Sequence, residues 1–100
     1  MTVKLLVVYP PPVNPEVFDK LYREEHIPMG YANLVGATKI ETVRVLGAPV
    51  GKPTIYQISE VTFPSLEALQ ACAGTEGAQK TLAHAVGIST GGGPEFLIVQ

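Results

Sequence analysis

The segment Val3–Pro28, VKLLVVYPPPVNPEVFDKLYREEHIP, decides the fold class. Its first seven residues, Val3–Tyr9, are β-branched, aliphatic and aromatic, as a strand requires. Pro10, Pro11 and Pro12 stop that strand, because proline brings no N–H to a sheet ladder. Asn14 then offers a side-chain oxygen to the free N–H groups of a helix start. Pro15 fits the first helical position and Glu16 suits the positive end of the helix dipole. The helix is expected to run to about Ile27, since Pro28 disfavours a helical conformation in the residue before it.

Outward from this β-α unit the chain continues with two strands, an interrupted helix and a last strand, with no internal repeat. Thr38–Leu46 reads as a second strand, Gly47–Pro53 as a hairpin loop and Thr54–Phe63 as a third strand. Ser65 is a second N-cap, with Leu66, Leu69 and Gln70 at helical spacing. Gly74 interrupts, and Thr75 with Glu76 restarts a helix to about Val86. Gly87–Gly93 holds four glycines in seven residues and reads as a loop, and Glu95–Val99 as the last strand. The order β-α-β-β-α-β with right-handed crossovers gives an α+β fold, an antiparallel sheet with both helices on one face, in a single domain spanning residues 1–100.

That sheet poses a problem. A face open to water should be polar. In the first strand Val3, Leu5, Val7 and Tyr9 point one way, and Lys4, Leu6 and Val8 the other. Leu97 and Val99 oppose Phe96 and Ile98 in the last strand, so neither face is cleanly polar. A second copy of the chain is the simplest cover, and a two-fold homodimer is expected.

Composition narrows the function. The chain has 100 residues, 46% hydrophobic and 16% charged, with net charge −2. Its seven Lys and Arg are scattered, which argues against a nucleic-acid partner. The longest apolar run, Leu5–Val8, is too short to span a bilayer, and ending in prolines it does not read as a signal peptide, so a cytoplasmic location is expected. Cys72 is the one cysteine and there are two histidines, so neither a disulfide framework nor a metal site is expected. No phosphate loop or nucleophile elbow stands in the right context.

Candidate chemistry therefore falls on few residues. Val17, Phe18 and Leu21 form the apolar arc of the first helix and Tyr22 extends it. His26 lies one turn further, half-buried, where free carbonyls of a last turn favour a protonated imidazole. Imidazole moves protons near neutral pH without a metal. The competing reading is a C-capping histidine with no other task. Glu25 falls inside the apolar arc, directed either at the core beside His26 or, if the last turn frays, at solvent. His84 reads as a residue of the helix surface or last turn. Tyr9, Tyr22, Tyr31 and Tyr56 are candidates to line a pocket with their rings and anchor a ligand by their hydroxyls, or are core filler. Arg44 suits a carboxylate partner or an edge-strand charge.

The run Phe18-x-x-x-Tyr22-x-x-x-His26-x-Pro28 resembles the first-helix signature of EthD-like proteins, which belong to the dimeric α+β barrel superfamily with ferredoxin-like protomers. Phe63-x-Ser65-x-Glu67-Ala68-Leu69 and Gly74-Thr75-Glu76-Gly77 resemble two further blocks of that family. Leu34-Val35-Gly36 stands where such proteins often show Leu-Pro-Gly. Leu82-Ala83-His84 stands where they often carry an Asp, so no role of that Asp carries over. The resemblance implies two sheets closing into a barrel across a dimer, with a pocket between sheet and helices in each protomer. It also implies a reaction without metal or organic cofactor, as in monooxygenases and isomerases of the superfamily, on a small hydrophobic or aromatic molecule. His26 would be the proton carrier, and Tyr22, Tyr56 and Tyr9 would line the substrate pocket. The alternatives are a non-catalytic dimer that carries a hydrophobic metabolite, and a heme protein with His26 or His84 as axial ligand.

Overall fold

The structure is a computed structural model and describes all residues from Met1 to Gln100. Four strands, β1 (Val3–Tyr9), β2 (Lys39–Arg44), β3 (Gln57–Phe63) and β4 (Glu95–Val99), form one antiparallel sheet in the order β2-β3-β1-β4. The helices are α1 (Pro15–Leu21), α2 (Ile27–Asn33), α3 (Leu66–Ala73) and α4 (Glu76–Ile88). This is the expected ferredoxin-like β-α-β-β-α-β arrangement. No helix is long and apolar enough to cross a membrane.

The helix starts follow from capping chemistry. The Val17 N–H donates to Asn14 Oδ1 at 3.3 Å, the Ala68 N–H to Ser65 Oγ at 3.1 Å and the Ala78 N–H to Thr75 Oγ1 at 3.2 Å. Each cap satisfies a donor that the first helical turn leaves without a partner. The strands expected over 38–46 and 54–63 are shorter in the structure, because the ladder between β2 and β3 closes at the Arg44–Gln57 pair.

The first helix does not end at Ile27. It continues through Pro28 to Asn33, with Tyr22–His26 wound as a π-helical turn between α1 and α2. Proline lacks the N–H that would reach the carbonyl four residues back, and its ring collides with that carbonyl. Widening the preceding turn relieves both demands. The Ile27 N–H bonds to the Tyr22 carbonyl, five residues back. The wide turn also corrects the helix phase. Four residues of ordinary α-helix overshoot a full turn by about 40°. The stripe Phe18, Tyr22, His26, Gly30 would therefore rotate away from the sheet, yet all four are buried.

The core lies between the helices and the odd-numbered residues of β1. One half gathers Val3, Val61, Phe63, Leu69, Cys72 and Ala78. The other gathers Val7, Tyr9, Phe18, Tyr22, Ala85 and Ile88. On the uncovered face the ladder sets Val43, Ile58 and Val8 in one row and Leu6 beside Leu97 in the next, with Val99 at the end of the third. Lys39, Glu41, Glu60 and Lys4 occupy the remaining corner with Thr62, Glu95 ends the Val8 row at the opposite edge, and Lys4 Nζ meets Glu60 Oε1 at 2.9 Å. The face is thus half apolar and half charged.

The glycine-rich stretch before β4 packs on the proline turn after β1. The Val13 N–H donates to Thr90 Oγ1 at 3.1 Å. A Cβ on Gly91 would overlap the Pro11 carbonyl oxygen, whereas one on Gly93 would meet nothing within 4 Å. Gly91→Ala is therefore expected to lower unfolding free energy by roughly 2 kcal/mol or more, since backbone must shift. Gly93→Ala should change it by about 0.5 kcal/mol or less. Thermal melts of the two variants check the difference.

Candidate functional site

Under the sheet, the π turn places His26 against β1, β3 and α4. A small cavity lies there, walled by Leu5 and Val7 of β1, Ser59 and Val61 of β3, Tyr22 and His26 of the π turn, Thr81, Leu82 and Ala85 of α4, and by Ile27, Gly30, Leu34 and Ile40. Its volume is about 30 Å³, room for one or two waters. A second apolar cavity of about 20 Å³ lies beside it, between β1, α3 and α4. Leu5, Leu34 and Leu82 line both cavities and form the partition between them.

His26 is only 8% exposed. Its Nδ1 lies 2.9 Å from His84 Nδ1, and its Nε2 lies 3.4 Å from the Tyr9 hydroxyl. His84 Nε2 in turn lies 3.2 Å from Glu25 Oε1. A carboxylate only accepts, so His84 carries a proton on Nε2, and a neutral His84 then leaves Nδ1 as an acceptor. His26 must then carry its proton on Nδ1 to donate. That leaves the His26 Nε2 lone pair, faced by the Tyr9 O–H at the outer limit of hydrogen-bond length. The four groups form one directed chain: Tyr9 to His26 to His84 to Glu25.

The electrostatics follow from burial. Burial, reinforced by the neighbouring His84, lowers the His26 pKa from 6.5 to about 4. This overturns the expectation of a protonated imidazole at a helix end. The helix does not end there, its carbonyls are not free, and a charge would be desolvated. Burial, with Tyr22 nearby, pushes the Tyr9 phenol well above its ordinary value, so it stays a donor.

A second polar group sits across the cavity. The Tyr22 hydroxyl lies 2.6 Å from both Thr42 Oγ1 and Ser59 Oγ. Three hydroxyls bring three hydrogens to two bonds, so one O–H remains to donate elsewhere. Tyr22 and Ser59 both belong to the cavity wall. Nothing in the sequence pattern singled out Ser59 or Thr42. Their placement depends on the β2–β3 register, which sets Thr42 opposite Ser59.

The structure thus brings His26, Tyr9 and Tyr22 together. It does not bring Tyr56 to them. The Tyr56 hydroxyl donates to Asp19 at 3.0 Å, and the Arg44 guanidinium lies 4.2 Å over its ring. Arg44 also bonds Asp19 Oδ1 at 2.7 Å and Gln57 Oε1 at 2.9 Å. Tyr56 therefore clamps the β2–β3 end to α1, and its hydroxyl is already occupied. His84 is not a plain surface residue either. It is the neighbour that fixes His26, and the signal for it was its place beside the buried α4 stripe Ala78, Thr81, Ala85 and Ile88. Glu25 resolves toward neither core nor frayed end. It is 56% exposed and reaches back to His84. The heme reading loses its support, since each histidine has both ring nitrogens within hydrogen-bond distance of a partner and the cavity has no room for a macrocycle.

No family model and no curated protein matches the sequence. Solved structures do. An EthD family protein of Bacillus halodurans superposes with TM-score 0.90 and 25% identity, covering 100% of this chain and 98% of that one. A dimeric ferredoxin-like protein of unknown function from Jannaschia gives TM-score 0.74 at 16% identity, covering 100% and 99%. SnoaB, a cofactor-independent oxygenase of Streptomyces nogalater, gives 0.66 at 11%, covering 99% and 91%. Over its whole length the chain is thus similar in structure to an EthD family protein, and its fold is ferredoxin-like.

The depressed His26 pKa makes a prediction about stability. Above pH 6.5 the imidazole is neutral both folded and unfolded and contributes nothing. Between 6.5 and about 4 the unfolded chain binds a proton that the folded chain refuses, so stability falls as pH falls. Below about 4 both states bind it, and the loss levels off at roughly 3 kcal/mol at most. Denaturant titrations of wild type and His26→Gln at pH 7 and pH 4 check this. The gap between the two should shift in favour of the variant at the lower pH.

Proposed function

We propose that the protein is a cofactor-independent enzyme that takes a proton from a carbon acid, a small hydrophobic or aromatic molecule bearing a carbonyl or phenol. The observation that supports this reading best is the setting of His26: a buried imidazole in a largely apolar wall, with Nδ1 held at 2.9 Å by His84 and Nε2 met only by the Tyr9 hydroxyl at 3.4 Å, the outer limit of a hydrogen bond. Such a group is a general base. The reaction begins when Nε2 takes the proton and the C–H electron pair delocalises onto the carbonyl oxygen. The spare hydroxyl hydrogen of the Tyr22, Ser59 and Thr42 trio supplies a donor for that oxyanion. The carbanion is then reprotonated at another carbon or captured by dioxygen. The likeness to a cofactor-independent oxygenase makes the second route the fitting comparison at the level of fold.

The cavity is small, and its size bears on the substrate. Rotation of Leu5, Leu34 and Leu82 would join it to its apolar neighbour into one elongated space suited to a flat or extended ligand. Assembly as a homodimer in the cytoplasm belongs to the same reading. The half-apolar open sheet face would be covered by its own copy, as the dimeric state of a ferredoxin-like structural neighbour suggests.

Incubation with a panel of aromatic ketones and 1,3-dicarbonyls in D2O, followed by NMR, tests the chemistry. Deuterium should enter at the activated carbon with wild type, and His26→Gln should slow it by about 100-fold or more. Exchange that survives the substitution overturns the base, and saturable binding without exchange in wild type favours the carrier reading. Light scattering should return twice the mass of one chain; the mass of a single chain would overturn the dimer.

A further inference from the structure

Two ionisable groups beyond His26 have no task in a simple general-base scheme, yet both are aligned with it. His84 comes from α4 and Glu25 from the π turn, far apart in sequence, and they meet on the Nδ1 side of the His26 ring. The two imidazoles lie within 9° of parallel with centroids 5.1 Å apart. Exposure rises along the series: His26 is buried, the His84 side chain is 20% exposed and that of Glu25 56%. The series leads from the cavity wall to water.

We propose that Glu25 and His84 are positioning residues that form a proton relay with His26, fixing which ring nitrogen is the base and holding the abstracted proton away from the cavity. The relay deepens the carbon-acid reading and rests on it. The step balances without a redox partner. When His26 Nε2 takes the substrate proton, the His26 Nδ1 proton passes to His84 Nδ1, and the His84 Nε2 proton passes to the Glu25 carboxylate. One C–H bond breaks, one N–H forms at His26 Nε2, and the last acceptor becomes a carboxylic acid. The C–H electron pair stays on the substrate. No cation is left in the apolar wall, where burial opposes one. Reprotonation of the substrate runs the relay backwards and restores the starting tautomers. The groups facing His26 from the packed elements are Tyr9 of β1, Tyr22 of its own turn and His84 of α4, with Glu25 behind His84. Tyr9 and Tyr22 are phenols that donate rather than take the proton, so the path leaves through His84.

The test uses the full-length protein and needs no substrate for its first arm. Nitrogen-15 NMR of the imidazoles should show the proton on Nδ1 of His26 and on Nε2 of His84, with scalar coupling across the bond between the two Nδ1 atoms. A His26 proton on Nε2 overturns the relay. Glu25→Gln, at an exposed position that leaves the fold intact, can donate as well as accept, and should convert the fixed tautomers into a mixture; unchanged tautomers overturn the relay. The second arm is the deuterium exchange assay. Glu25→Gln and His84→Phe should slow exchange by about 10–100-fold with half-saturating substrate concentration unchanged. Exchange abolished in His26→Gln but untouched in both of these variants overturns the relay while the general base stands. If wild type exchanges nothing, the base reading fails, and the tautomers alone decide whether the relay orients His26.

Discussion

The widened turn at Tyr22–His26 is the constraint on which the rest of the site depends. An α-helix cannot keep residues four apart on one line, because each step carries them about 40° around the axis. Phe18, Tyr22, His26 and Gly30 nevertheless all face the core. The π turn absorbs the drift at the point where Pro28 disrupts the regular ladder anyway. Without it, His26 would rotate toward solvent and lose both His84 and Tyr9. The helix irregularity and the site are thus consequences of one proline.

Once His26 is held inside, polar chemistry in an apolar core becomes a matter of satisfaction. An isolated buried imidazole would cost on the order of 1–3 kcal/mol for each unpaired group. Here each donor has an acceptor in a fixed order, from the Tyr9 phenol out to the Glu25 carboxylate. The same order selects the tautomer and so selects the base. Stability and chemistry draw on the same bonds. Where satisfaction fails, at Gln57 Nε2, the orphan lies away from the cavity, in the Arg44 cluster whose N–H groups oblige the Gln57 carbonyl to accept.

Much of this was legible in the residues. Asn14, Ser65 and Thr75 announced the helix starts, because capping is local chemistry. The alternation set Val3, Leu5, Val7 and Tyr9 apart from Lys4, Leu6 and Val8, because strand period is also local, but with apolar residues in both sets it did not tell which one the helices cover. His26 and Tyr22 stood out as polar extensions of an apolar arc. What the sequence hid was which side chains of distant segments meet. Reading Pro28 as a stop was sound for a regular helix and wrong for one that can widen. That error placed His26 at free carbonyls and made it seem charged. Tyr56 looked like a pocket residue because nothing local reveals that Asp19 and Arg44 already hold it. His84 looked peripheral because its partner lies 58 residues away.

The open sheet face connects the site to assembly. Its apolar rows run from Val43 through Ile58 and Val8 to Leu97 and Val99, while Lys4 and Glu60 neutralise each other beside them. A surface meant only for water would not place aliphatic side chains on the central strands of the uncovered face. A surface meant only for burial would not keep four charged groups in one corner. A two-fold partner reconciles the two, since rotation can set apolar rows against each other and leave the charged corners at the rim, wet and paired. The strands that would carry this interface are the ones whose other faces wall the cavity, with Leu5 and Val7 on β1 and Ser59 and Val61 on β3. Covering the sheet on its far side would stiffen the wall against which His26 and the Tyr22 trio are set. Pairing and chemistry would then be two demands on the same two central strands.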